Sequence, residues 1–150
     1  MPRWSIALLV CLIASALSAC GGAGREPLSP ACREGSASVR TALRDAPRTV
    51  TLDGEPLSGC LRSARDGGDL SEVGMGFLDA AAQLAPAAVK APEGPEALQL
   101  GYLVGAARRG VPGEQGPSAE LVRRLTNEAT QVDTSSAAYR RGLRAGSRTG

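Results

Sequence analysis

The 150 residues contain no histidine, one lysine and four aromatic residues (one Phe, two Tyr, one Trp). Without histidine the chain lacks the commonest metal ligand and the usual activator of a serine or cysteine nucleophile. So few aromatics leave no base-stacking platform. With 17 Lys+Arg against 15 Asp+Glu, a formal net charge of +2 excludes a strongly basic nucleic-acid binder. Gly 19 and Pro 10 are too few for a low-complexity chain. Large aliphatic side chains are also scarce. Both isoleucines, Ile6 and Ile13, fall within the first 19 residues, and residues 20–150 hold 14 Leu, 8 Val and 1 Phe. That is under the roughly one-fifth level at which folding becomes uncertain, while the low net charge argues against disorder by repulsion. Much of the 43% hydrophobic content is alanine. The expectation is one small domain with a thin core, since the length allows no more.

What is present begins with an address. Met1-Pro2-Arg3-Trp4-Ser5 carries one positive charge, and Ile6–Leu17 is apolar apart from Ser15. These 12 residues are shorter than the roughly 20 that span a bilayer, and have the length of a signal-peptide core. Leu17-Ser18-Ala19-Cys20-Gly21 follows. This stretch resembles the lipobox of bacterial lipoproteins, in which a Leu and two small residues precede an invariant Cys. The resemblance implies that residues 1–19 are a cleaved signal peptide and that Cys20 becomes the mature N-terminus, modified with diacylglycerol and palmitate-type acyl chains. The competing readings are an ordinary secretory signal, whose Ala-x-Ala pattern fits poorly here, and a short uncleaved anchor. Two or more acyl chains, at about 0.8 kcal/mol per buried methylene, hold a protein durably on a membrane it does not span. The implied location is the cell membrane, lipid-anchored, on the extracytoplasmic side.

Of four cysteines, Cys11 leaves with the signal and Cys20 takes lipid, so Cys32 and Cys60 remain as an even pair in an exported, oxidising compartment. A Cys32–Cys60 disulfide closes a loop of about 29 residues, worth roughly 3.5 kcal/mol in the chain-entropy account. Redox activity is disfavoured because there is no C-x-x-C spacing, and two thiols so far apart form no zinc pattern. No metal and no cofactor is expected.

Residues 20–30 read as a flexible tether rich in glycine, and 31–150 as one small α-helical domain with a basic C-terminal tail. Ser29-Pro30 offers a helix start, the weak apolar spacing of Cys32, Val39 and Leu43 a short helix, and Pro47 its end. Arg48–Leu52 alternates polar and apolar residues into Asp53-Gly54, which predicts at most one small hairpin because Pro56 spoils the return strand. Ser58 is a candidate cap for a helix over 59–65. Gly67-Gly68 reads as a break, Asp69 and Glu72 as a capping box, and Leu70, Val73, Phe77, Leu78, Ala81 and Leu84 as an amphipathic helix ending near Pro86. Pro95 to Gly110 follows as another helix, closed by Arg108 and Arg109. Ser118 is the candidate cap of a last helix carrying Leu121, Leu125, Ala129 and Val132 and continuing to Tyr139 and Leu143. The fold class is mainly α: a bundle of four or five helices, with at most one short hairpin and one disulfide.

Few residues stand out for chemistry. Gly101 and Gly105 form a small-xxx-small face, read as close helix packing, with ligand access to bare backbone as the sharper option. Gly74 and Gly76 lie inside a helix, not after a strand, so they form no phosphate loop. Glu72 and Asp79 share a helix face, making a paired-carboxylate site geometrically possible, although Asp66, Asp69, Glu72 and Asp79 fit caps and solvated surface better. Ser36, Ser58 and Ser118 lack a histidine base, and Lys90 has no S-x-x-K partner. Arg140, Arg141, Arg144 and Arg148 follow Asp133 with no acid among them, a local charge of +4. Arg140, Arg141 and Arg144 are candidate contacts for an anionic lipid surface or envelope polymer, against the plainer reading of a favourable helix end with a frayed tail.

These features predict a membrane-anchored cell-envelope lipoprotein acting as a non-catalytic binding or interaction module. Its partners are the bilayer, through acylated Cys20, and an envelope protein or anionic polymer, with no nucleic acid. The alternatives are a structural lipoprotein self-associating through its Ala/Gly faces and, behind it, an envelope hydrolase with a carboxylate site.

Overall fold

The computed structural model describes residues 27–111 and 113–150. The leader, Cys20 and the stretch up to residue 26 lie outside the described residues.

A 3-10 turn over Pro30–Arg33 precedes α1 (Ser36–Leu43). Gly35 separates the two at φ 81°, a left-handed conformation that suits glycine and divides the helix expected here. The hairpin β1 (Thr51–Leu52) and β2 (Glu55–Pro56) turns on Asp53-Gly54, both at positive φ, as a two-residue hairpin loop requires. Thr51 pairs Pro56 and Leu52 pairs Glu55, antiparallel. The expected small hairpin is therefore present, with Pro56 at the end of its return strand.

Pro56 rather than Ser58 sits at the N-cap of α2 (Leu57–Ser63). The Asp66 carboxylate accepts from the Asp69 N–H at 2.8 Å, so α3 (Gly67–Lys90) begins two residues before the expected capping box and takes Gly67-Gly68 into its first turn. Asp69, no longer a cap, turns to Arg33. α3 also runs through Pro86, where a stop was expected. Pro86 donates nothing to the Ala82 carbonyl, but both residues are exposed, so water can take the donor's place.

α4 (Pro95–Gly110) matches the expected helix. The run expected as one last helix is two: α5 (Pro117–Ala129), capped by Gly116 rather than Ser118, and α6 (Ala137–Thr149). The chain turns between them because Asp133 accepts from both the backbone and the hydroxyl of Ser135, and Ser136 caps α6 by accepting from the Tyr139 N–H. This raises the helix count to six among the described residues. The mainly helical class, the hairpin and the disulfide stand.

α4 is the hub, buried continuously over residues 100–107 and packed against α2, α3, α5 and α6. Tyr102, the largest fully buried side chain, accepts a 3.0 Å hydrogen bond from the Val50 N–H and lies 3.2 Å from Thr149 Oγ1, tying the hairpin to the end of α6. Cys32 and Cys60 are bonded and buried, with Cα atoms 5.6 Å apart, which pins the 3-10 turn to α2. Leu28 is buried and joins the core. The thin core expected from composition is closed by alanine: Ala80, Ala81, Ala88, Ala97, Ala106, Ala107 and Ala129 have no exposed surface.

Candidate functional site

The closest helix contact joins α4 to α6. The helices run parallel: Gly101 lies on Tyr139 and Leu143, Gly105 on Leu143 and Gly146, and Ala106 on Gly150. From the other side Gly142 lies on Leu98 and Tyr102, and Gly146 on Tyr102 and Ala106. A methyl group at any of these four glycines would overlap partner backbone, so the helices meet main chain to main chain. The small-xxx-small face is thus packing and exposes no backbone for a ligand. Glu93 fixes the N-terminal end of this pair, its two carboxylate oxygens accepting from the N–H groups of Ala137 and Ala138 at 2.9 and 3.0 Å.

With its glycine side against α4, α6 turns its arginines outward. Arg140, Arg144 and Arg148 recur every four residues and Arg141 stands beside them, all exposed. Among the described residues none of the four forms an ion pair. Of the expected trio, Arg140 stands nearest an acid: its charge helps hold the Asp133 carboxyl below its ordinary value, behind the larger effect of the Ser135 hydrogen bonds. The Tyr139 hydroxyl is pushed up by burial, partly offset by the charge of Arg108.

Two arginines that sequence reasoning did not place here gather at the C-terminal end of α6. Arg109 donates to the carbonyls of Ser147 and Arg148, at 3.3 and 2.5 Å, so this cation serves the end of α6 rather than that of its own helix. Arg62 donates at 2.8 Å to the buried Ser58 hydroxyl, which donates to the Gly150 carbonyl. The residue types hinted at helix ends, but which carbonyls they meet depends on the parallel pairing.

A second surface lies between α3 and α5, also parallel. Here an open groove of about 300 Å³ is floored by Leu70, Gly74, Leu78 and Leu121, with Met75 61% exposed at its edge. It continues past Asp79, Arg123, Arg124 and Glu128. Glu120 sits in both parts, bonded to Arg123 and, at 2.9 Å, to Arg124. The Arg124 hydrogen bond, with a further contribution from the Arg123 charge, holds the Glu120 carboxyl below its ordinary value, opposite to the upward shift a general acid needs. Glu72 and Asp79 are not brought together: Glu72 faces Arg33 at 3.4 Å, while Asp79 lines the groove. Met75 gave no signal in sequence because it adjoins the apolar stripe of its own helix.

The serines divide similarly. Ser36 accepts from Gln83 at 3.2 Å, Ser58 is buried where α2 packs on Gly110 of α4, and Ser118 lies in the first turn of α5. Lys90 is the last residue of α3. Among the described residues no group of three or more Cys, Asp or Glu is placed to hold a metal ion, and no helix is long and apolar enough to cross a membrane. No protein-family model, curated protein or solved structure matches this chain.

Proposed function

We propose that the protein is a lipid-anchored lipoprotein of the bacterial cell envelope whose small helical domain is a non-catalytic interaction module. The reading starts from Leu17-Ser18-Ala19-Cys20 behind a short apolar core. The observation that carries it furthest is the buried Cys32–Cys60 bond. A structural disulfide in a domain this size suits an exported chain and is rare in reducing cytosol. It also accounts for Cys32 and Cys60, so that in the proposed mature chain Cys20 is the cysteine that remains for acylation. Self-association through Ala/Gly faces draws no support from Gly101, Gly105, Gly142 and Gly146, which are consumed inside the chain. A carboxylate hydrolase draws none from Glu120, whose titration moves the wrong way.

The test is Cys20→Ser. The variant is expected to leave the membrane fraction and carry no acyl group, read by fractionation and by the mass of the N-terminal peptide. Continued anchoring of wild-type protein with an unmodified Cys20 would refute the reading.

A further inference from the structure

The path of the chain into the domain and the arginines of α6 converge on one end of the molecule. Pro27, Leu28 and Pro30 line a shallow hollow with Gly59, Arg62 and one carboxylate, Glu55. Arg62 is joined through Ser58 to Gly150, and Arg109 is bonded to the last carbonyls of α6. The chain therefore enters beside the C-terminal end of α6, where Arg62, Arg109 and Arg148 collect. From there Arg144 and Arg141 extend the charge along an outward helix face whose sequence holds no acid. Six residues lie between Cys20 and Pro27, and these seven residue steps reach at most about 25 Å when extended.

We propose that the outward face of α6, with Arg62 and Arg109 at its end, seats on the anionic phospholipid headgroups of the membrane that holds the acylated Cys20. The proposal rests on the lipoprotein reading, because the anchor sets the distance. Charge complementarity selects the occupant. The face presents guanidinium groups that form no ion pair among the described residues, and a phosphate headgroup offers each planar guanidinium fork two oxygens to engage in bidentate fashion. Tethering makes the encounter intramolecular, so weak individual contacts suffice at the high effective concentration a short linker provides. The contact is electrostatic and is lost as salt shortens the range of the field.

The experiment is arginine footprinting of the mature full-length protein, reconstituted in vesicles of phosphatidylcholine alone or with phosphatidylglycerol. Phenylglyoxal modification is read residue by residue by mass spectrometry, together with the mass of the Cys20 peptide. Arg62, Arg144 and Arg148 should be modified at least about threefold more slowly on the anionic vesicles, with the difference abolished by high salt. Arg123 and Arg124, held by Glu120 on α5, should react alike on both. Neutral vesicles with added inorganic phosphate separate the sources: equal protection there would assign the site to a free anion and overturn the headgroup. Equal rates on both vesicles, or protection confined to α5, overturn the seating while an acylated Cys20 leaves the lipoprotein reading standing. An unmodified Cys20 overturns both.

Discussion

The α3–α5 and α4–α6 pairs share a plan, since in each two helices run parallel with one helix between them in sequence. They differ in what lies at the seam. Between α4 and α6 every fourth residue is glycine, the backbones touch, and no groove remains. Between α3 and α5 a single glycine, Gly74, faces Leu121, and farther along long polar side chains hold the helices apart around an open groove. With few large apolar side chains available, the chain closes one seam by removing side chains altogether and leaves the other open. Each helical glycine costs about 1 kcal/mol relative to alanine. That cost is offset only where it brings two backbones together.

The contrast can be broken most severely at the closed seam. Gly142→Leu is expected to lose more than about 3 kcal/mol in urea unfolding, because the side chain meets the main chain of Leu98 and Tyr102, which cannot yield. Gly74→Ala should change stability by under about 1 kcal/mol, since its methyl meets only the movable end of Leu121 at 3.3 Å while helix propensity improves. If both substitutions cost the same, the two seams are not different in kind.

Next comes the clamp beneath the closed pair. Replacing Cys32 and Cys60 by alanine is expected to cost roughly 3 kcal/mol. The loss should appear first at α2, where Ser58 and Gly110 meet, read as faster amide exchange there than in α3. Uniform acceleration would show that α2 has no local unfolding of its own.

A smaller effect is expected at the other end of the closed pair. Glu93→Ala removes both acceptors from the first N–H groups of α6 and should cost about 1 kcal/mol, with fraying confined to that turn. Glu93→Gln should restore part of it, since one amide oxygen still accepts. No loss in either variant would mean that Ser136 alone is sufficient.

The smallest effects are in pH, with opposite signs at the two seams. The Glu120 carboxyl titrates below its ordinary 4.5 in the folded chain, so its contribution is present above that pH and fades as acid takes the folded group through its lowered value, loosening α5. The Tyr139 hydroxyl titrates above its ordinary 10.0, so its contribution is full below pH 10 and fades as alkali rises through the raised value, loosening α6. Resonances of the two helices followed across both ranges should separate them. Movement of α6 in acid, or of α5 in alkali, would contradict this assignment.

Some of this was legible in advance. The helix over Pro95–Gly110, the hairpin at Asp53-Gly54 and the pairing of Cys32 with Cys60 each follow from strong local signals or from simple elimination. The misplaced boundaries were decided by competition between neighbouring candidates: Asp66 took the cap from Asp69, and the Asp133–Ser136 turn divided a run whose apolar spacing continued across it. The arginine surface was half visible. Arg140, Arg141 and Arg144 show as a run, but Arg62 and Arg109 lie far away in sequence and join it only because α2 and α4 end beside α6.

The sequence by itself determined the helical class and the lack of histidine chemistry, which depend on residue type and short spacing, and it pointed to the disulfide pair by elimination. Only the tertiary structure decided which glycines face one another, which helix end Arg109 serves, and that the chain enters beside the arginines of α6. Those outcomes depend on a parallel pairing of α4 and α6 across an intervening helix, and local periodicity states only that a helix has an apolar face. The partner that covers that face is chosen by how closely two backbones can approach.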